Sequence, residues 1–127
     1  MRIIFRFAPA IFFSALIFIL SSISGLKASD TYEVDLLSRK SAHVVIYFLL
    51  TISYMWALIP SASFKKLAKL SNFQYFLGFI LSTLYAISDE IHQSFVTNRT
   101  GKVTDVLIDL VAISLAIFVF KRKMVLK

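Results

Sequence analysis

Hydrophobic residues fall into four long stretches separated by polar segments, and these stretches cover residues 7–26, 41–59, 73–93 and 103–120. An α-helix rises about 1.5 Å per residue, so roughly 20 apolar residues cross the hydrocarbon core of a bilayer. The pattern therefore predicts an all-α fold, an integral membrane bundle of four transmembrane helices that forms a single domain over residues 1–127.

The first stretch also resembles a secretory signal peptide. Arg2 and Arg6 precede it, and Ser22, Ser24 and Ala28 supply small residues near its end. The apolar core of a signal peptide is usually only about 7–15 residues long, and this stretch is longer. We therefore interpret it as a helix that the mature protein retains.

The polar segments supply the connections. Residues 27–40 are expected to form a polar loop, Lys65, Lys66 and Lys69 mark a short basic loop, and residues 97–101 form a turn. The third helix is expected to continue beyond its apolar part through a run of polar residues, Asp89, Glu90, His92 and Gln93.

Composition agrees with a membrane location. Hydrophobic residues make up 58% of the chain and charged residues only 17%, whereas soluble domains carry roughly 25% charged residues. The lack of cysteine excludes disulfides, a thiol nucleophile and a Cys-ligated metal. The net charge of +7 lies in clusters between apolar stretches, as in orienting loops of membrane proteins. We expect membrane lipids as partners and no nucleic acid; a homo-oligomer or a partner membrane protein stays open.

The distribution of Lys and Arg predicts the orientation, because the side with more of them faces the cytoplasm. Nine lie on the side of both termini: Arg2, Arg6, Lys65, Lys66, Lys69, Lys121, Arg122, Lys123 and Lys127. Five lie opposite: Lys27, Arg39, Lys40, Arg99 and Lys102. Both termini are therefore predicted to be cytoplasmic, in the bacterial cytoplasmic membrane. All seven acids lie on or beside the opposite side, so the polar cluster is expected to face outward.

Polar residues share helix faces near the outward ends of three helices. One face each carries Lys40, His43 and Tyr47; Glu90 and Gln93; and Asp105 and Asp109. Small residues at Gly78, Ser82 and Ala86 predict a packing surface that turns Glu90 inward. Asp109 lies about 10 Å into the apolar layer at helical rise. A carboxylate at that depth must be neutralised by a proton, a cation or hydrogen bonds.

Several interpretations of these residues stay open. A carboxylate pair, Glu90 with Asp105 or Asp109, could perform acid–base chemistry. Ligand types for a divalent metal occur at His43, Asp89, Glu90, His92 and Asp105, but no compact motif such as H-E-x-x-H is present, and we assign no metal and no cofactor. A structural network could instead pair four cations with four acids: Arg39, Lys40, Arg99 and Lys102 with Asp89, Glu90, Asp105 and Asp109. A His43–Tyr47 hydrogen bond that holds helices together is a further structural alternative.

Three blocks of residues resemble the VanZ-like membrane family, which is named after an accessory factor in resistance to glycopeptide antibiotics. They are Lys40, His43 and Tyr47; then Glu90 and Gln93; then Arg99 and Asp105. The resemblance extends from about Arg39 to Ala116. It implies a cell-envelope context, a four-helix membrane domain and a link to antibiotic susceptibility, but it names no reaction.

Two positions depart from the family pattern. Asp109 and Ala112 stand where members usually carry an asparagine and then a glycine, and Arg39 replaces an acid that often precedes the lysine. If the asparagine orients the aspartate that precedes it, Asp109 adds a negative charge to the site and changes what the site does.

Two hypotheses for function follow. In the first, an outward-facing intramembrane site uses Glu90, Asp105 and His43 as candidate catalytic groups. Its substrate-binding residues would be Lys40, Tyr47, Gln93, Arg99 and Asp109, with Arg99 holding an anionic group or an acid partner. In the second, the protein is a non-enzymatic scaffold or accessory subunit, and the polar cluster only fixes helix packing. Whether the protein is an enzyme stays open.

The orientation can be checked with reporter fusions. Reporters joined after Lys40, Lys69 and Lys127 are expected to read outside, inside and inside, because the cation-rich side faces the cytoplasm. Any other pattern would contradict the orientation.

Overall fold

The computed structural model describes residues 2–24, 30–59 and 70–125. Over these residues the chain forms five helices and no strand: α1 (Arg2–Arg6), α2 (Ala8–Ser22), α3 (Tyr32–Ala57), α4 (Asn72–Phe95) and α5 (Val103–Val125). The all-α prediction is confirmed. The basic loop of Lys65, Lys66 and Lys69, together with Lys27, Ala28 and Lys127, lies outside the described residues.

The first hydrophobic stretch forms α2, which continues directly from α1. Phe7 separates the two helices, and its carbonyl accepts a hydrogen bond from the Ile11 N–H at 2.9 Å. Pro9 lies in the first turn of α2, where a missing N–H costs no helical hydrogen bond. The helix ends at Ser22, and Ile23 is extended, so the helix is shorter than the predicted span to residue 26.

The predicted loop over residues 27–40 is wrong in its second half, because α3 begins at Tyr32. Glu33 and Asp35 lie in its first turn, where acidic side chains stabilise the positive end of the helix dipole. Asp35 also forms a salt bridge with Arg39 one turn later, at 2.8 Å. These charged residues lower the hydropathy of the segment, so the apolar stretch in the sequence leaves out about two turns at the start of α3.

The third stretch forms α4, and the helix does continue through its polar residues to Phe95. Its start is fixed by a capping box: the Gln74 N–H donates to Ser71 Oγ, and the Ser71 N–H donates to Gln74 Oε1. The Gln74 side-chain amide also donates to the Leu58 carbonyl at 2.8 Å. This hydrogen bond ties the beginning of α4 to the end of α3.

One helix among the described residues is long and apolar enough to cross a membrane, Val103–Met124 within α5, with a mean hydropathy of 2.4. The helix α2 is apolar but shorter. The helices α3 and α4 are longer than α2, and their polar residues near the candidate site lower their hydropathy. One of the four predicted spans therefore meets this criterion among the described residues, and the four-span bundle stays a prediction.

The long helix α3 lies at the centre and contacts α2, α4 and α5, whereas α2 and α5 do not meet among the described residues. The small-residue stripe of α4 packs against it as expected: Gly78 faces Met55, and Thr51 Oγ1 donates to Ser82 Oγ at 3.0 Å. All of these side chains are buried. The stripe is thus an intramolecular packing surface.

The turn between α4 and α5 brings the start of α5 back against the end of α4. Asn98 adopts a left-handed backbone with φ 62°, a conformation that asparagine tolerates better than most residues. Gly101 lies so close to the Glu90 carbonyl that a Cβ atom would overlap it. The absence of a side chain at this position lets the following residue approach Glu90.

Substitution of the two packed glycines should have unequal effects. Gly101→Ala places a methyl group against backbone, which cannot move aside, so we expect the free energy of unfolding to fall by about 1–3 kcal/mol. Gly78→Ala meets the flexible end of Met55, and a smaller loss is expected. Thermal unfolding of the purified variants in detergent measures both, and an equal or larger loss for Gly78→Ala would contradict this description of the turn.

Candidate functional site

The beginnings of α3 and α5 meet the end of α4, and a cavity of about 260 Å³ opens between them and the turn that joins α4 to α5. Its walls include most of the predicted site residues: Lys40, His43, Gln93, Arg99 and Asp105. Tyr47, Glu90 and Asp109 are buried near its floor. The structure therefore brings residues that lie far apart in sequence to one end of the molecule.

Positive charge dominates the cavity wall. Four cations line it against a single acid, Asp105; the cations are Arg39, Lys40, Arg99 and Lys102. Arg39 is paired with Asp35. In residues 30–59 and 70–125, no Lys or Arg side chain lies within 4.0 Å of a carboxylate of Asp89, Glu90, Asp105 or Asp109. The salt-bridge network that the sequence left open is not formed.

Arg99 holds the end of α2 in place. Its guanidinium donates to the carbonyls of Leu20 at 2.9 Å and Ile23 at 3.2 Å, and it makes a longer contact of 3.5 Å with Gln93 Oε1. Carbonyls of a last helical turn have no partner within the helix, so Arg99 caps α2 from a distant loop. Burial and the like charge of Arg39 lower the pKa of Arg99, although a guanidinium stays charged in proteins.

Near the floor of the cavity, one side chain from each of three helices converges on one point. His43 of α3, Glu90 of α4 and Asp109 of α5 each offer a ligand atom, and these atoms lie within 4.8 Å of one another. His43 Nδ1 is 3.4 Å from Asp109 Oδ1. Three such donors suit a divalent cation, a shared proton or acid–base chemistry.

Glu90 is oriented by its neighbours. Its Oε2 accepts a hydrogen bond from the Lys102 backbone N–H at 2.9 Å, which the close approach at Gly101 permits, and its Oε1 lies 3.5 Å from the Gln93 amide nitrogen. The Gln93 amide donates mainly to Asp89 Oδ2 at 2.9 Å. Sequence reasoning did not assign this supporting role to Gln93.

Several buried polar atoms on the floor have no hydrogen-bond partner among the described residues. They are both carboxylate oxygens of Asp109, the Tyr47 hydroxyl, His43 Nδ1 and Asp105 Oδ1. The Tyr47 and Asp109 side chains are fully buried. The proposed His43–Tyr47 hydrogen bond is absent; the two rings are tilted, with centroids 5.9 Å apart. Native proteins rarely leave so many buried polar groups unsatisfied.

His92 lies outside this cluster. Its Nε2 is 2.9 Å from Ser22 Oγ, and its ring stacks on Phe18 with centroids 4.7 Å apart. The side chain thus joins α4 to α2 and is not one of the converging ligand types that the sequence offered for a metal. In the sequence, hydrophobicity alone indicates α2, so nothing there predicts that His92 contacts Ser22 and Phe18.

A second, narrower groove of about 90 Å³ runs between α2 and α3 and is mostly apolar. It shares three wall residues with the cavity: Arg39, His43 and Arg99. Apolar side chains such as Ile17, Leu20 and Ile46 form the rest of its walls. The polar cavity therefore adjoins an apolar groove.

The order of these residues along the chain can be compared with known protein families. The profile of the VanZ/LLP1 family matches residues 2–126. The chain belongs to the VanZ/LLP1 family. No curated protein and no solved structure gives a significant match. The resemblance seen in three short blocks therefore extends over nearly the whole chain, α2 included, and the VanZ/LLP1 profile covers every helix that forms the cavity.

The two loop cations of this VanZ/LLP1 protein should differ in their effect on stability. Arg99→Met removes the cap on α2, and we expect the free energy of unfolding to fall by about 1–2 kcal/mol. Lys102→Met removes an equal charge but keeps the backbone N–H that binds Glu90, so a change within about 0.5 kcal/mol is expected. Thermal unfolding in detergent compares them; equal losses would show that charge, and not capping, is responsible.

Proposed function

We propose that this protein spans the bacterial cytoplasmic membrane four times, with both termini in the cytoplasm, and binds the phosphate-bearing headgroup of an anionic lipid at its outward-facing end. One observation carries the proposal: four cations line the cavity wall against a single acid, Asp105, and three of the four lack a salt bridge among the described residues. Like charges repel one another, so such a wall is stabilised when an anion lies between them.

The outer surface of the helices supports a membrane location. Large apolar side chains are exposed on every long helix, among them Phe12, Phe18, Val45, Leu84, Leu115 and Phe118. Soluble monomers rarely expose apolar surface of this extent. The helices α2 to α5 would then each cross the bilayer. The polar start of α3 and the polar end of α4 would lie in the outer headgroup region.

The chemistry of the cavity favours phosphate. Arg presents several N–H donors in a planar fork, and Lys adds a compact charge, a combination that suits phosphate oxygens. Lys40 and Lys102 make no ion pair among the described residues, so their charges are available to a ligand. The adjoining apolar groove between α2 and α3 suits the hydrocarbon chain of the same lipid.

The unsatisfied groups on the cavity floor argue against a purely structural cluster. A network that only fixes helix packing gains specificity when its polar groups bond to one another. Here Asp109, Tyr47 and Asp105 all keep buried atoms without partners in the described part of the chain. A ligand site needs polar atoms that are available to contact the ligand, whereas a cluster that only fixes helix packing does not.

A cell-envelope role follows from this position. A lipid headgroup site at the outer face would lie where envelope components are handled, and the family that the chain belongs to is named after a factor in glycopeptide-antibiotic resistance. We propose altered susceptibility as the phenotype of the site. Glu90, Asp105 and His43 are its candidate reactive groups if the bound lipid is also a substrate.

Lipid binding can be tested on the purified protein by native mass spectrometry. Phosphatidylglycerol should be retained in preference to diacylglycerol with the same acyl chains, and free glycerol phosphate should bind more weakly than the lipid. Each interfacial cation contributes about 1 kcal/mol to attraction of an anionic lipid. The double variant Lys40→Gln/Lys102→Gln should therefore retain roughly 10- to 30-fold less phosphatidylglycerol.

The matched control is Lys121→Gln/Lys123→Gln, which removes the same charge from the opposite end of α5 and should bind as the wild type does. An equal loss in both double variants would indicate nonspecific attraction and contradict the proposal. Unchanged retention with reduced thermal stability of Lys40→Gln/Lys102→Gln would favour the scaffold function instead.

A further inference from the structure

Asp109 is the least accessible charged group in the described residues, with a fully buried side chain and no hydrogen bond to either carboxylate oxygen. An isolated carboxylate in an apolar interior costs far more free energy than a protein's total stability provides. Within residues 30–59 and 70–125, the His43 ring is the one group within 4.0 Å that can carry a positive charge, and it faces Asp109 without hydrogen-bond geometry. In the absence of hydrogen bonds, the carboxylate therefore needs a proton or a cation close by.

The neighbours of Asp109 converge on one point. His43 and Glu90 bring a ring nitrogen and a carboxylate oxygen to within 4.8 Å of an Asp109 oxygen. Zinc binds nitrogen and carboxylate oxygen at about 2.0–2.2 Å, so ligand atoms around a tetrahedral ion lie about 3.4 Å apart. The distance between His43 Nδ1 and Asp109 Oδ1 is 3.4 Å. Small side-chain rotations would bring Glu90 to the same separation.

The donor set indicates the class of ion. Imidazole suits zinc and other transition metals, whereas Mg²⁺ and Ca²⁺ prefer oxygen ligands throughout. Two carboxylates balance the charge of a divalent ion in a low-dielectric site. Glu90 is also held by the Lys102 N–H, a supporting hydrogen bond of the kind that orients metal ligands.

We infer that His43, Glu90 and Asp109 bind one divalent transition-metal cation, with Zn²⁺ the preferred ion. Three protein ligands leave a fourth coordination position open, and His43 lies in the wall of the cavity, so that position faces the headgroup pocket. Only the occupant of this fourth position, a phosphate oxygen of the lipid, rests on the proposed function. The ion itself follows from the three ligands.

The site differs from the ligand types that the sequence offered. Both sets contain His43 and Glu90. In the structure, however, Asp109 takes the place of Asp105, and His92 is turned toward α2. Asp109 stands where the family resemblance leads one to expect an asparagine, which carries no charge. This member of the family would thus have a stronger site for a cation than the usual sequence provides.

The test uses the full-length, untagged protein in detergent, stripped of metal and titrated with Co²⁺. Co²⁺ in a site with nitrogen and oxygen ligands gives visible absorption, and Zn²⁺ should abolish that absorption by displacing it. We expect one ion per chain and a higher unfolding temperature with Zn²⁺ than without it, because a ligand that binds only the folded state stabilises it.

Asp109→Asn and His43→Gln should each weaken binding by more than about 100-fold, since even supporting residues around a metal cost 10- to 100-fold. Asp35→Asn is the matched control: it makes the same change at another buried carboxylate, one paired with Arg39, and should bind as the wild type does. Circular dichroism and gel filtration identify any variant that fails to fold, and Glu90→Gln then provides a further ligand substitution.

The inference is overturned if folded wild-type protein binds neither ion, or if binding survives in both Asp109→Asn and His43→Gln. It would also be overturned if Asp109→Asn is more stable than the wild type and Zn²⁺ changes the stability of neither. The Lys40→Gln/Lys102→Gln variant separates the two proposals, since it should keep the metal while losing the lipid. Metal binding without lipid binding contradicts only the proposed function, and the reverse contradicts only this inference.

Discussion

The burial of Asp109 is the constraint on which the site depends. A carboxylate placed where three helices meet has to be offset by a proton or a cation; α3 supplies His43 at that depth, whereas α4 adds a second carboxylate, Glu90, which increases the need. The turn before α5 also orients this cluster. Gly101 allows the turn to approach Glu90 closely, and the Lys102 N–H then donates a hydrogen bond to the Glu90 carboxylate. Packing and electrostatics are therefore fixed together at one end of the molecule.

Much of this arrangement could be predicted from the sequence, because periodicity determines which residues share a helix face. The faces of α3, α4 and α5, the depth of Asp109 and the continuation of α4 to its polar end all follow from spacing. The start of α3 could not be predicted in this way, because Glu33 and Asp35 lower the hydropathy of its first turn while they stabilise it.

The sequence could not predict which residues from distant segments of the chain contact one another. The cap that Arg99 places on α2 uses backbone carbonyls, which every residue possesses and which leave no mark in a sequence. Equal numbers of nearby cations and acids suggested a salt-bridge network, yet helix faces do not determine how side chains pair. The four cations and Asp105 line the wall, whereas Glu90 and Asp109 are buried beneath it, and this separation gives the cavity wall its positive charge.

The groove between α2 and α3 shares Arg39, His43 and Arg99 with the cavity, and this proximity bears on how the proposed lipid ligand would arrive. A lipid that entered along the groove would move sideways out of the bilayer, and its hydrocarbon chain would never cross water. Exchange would then follow lateral diffusion in the membrane, and the shape of the chain would help to select the ligand along with its headgroup. The cap on α2 would set the width of that entrance.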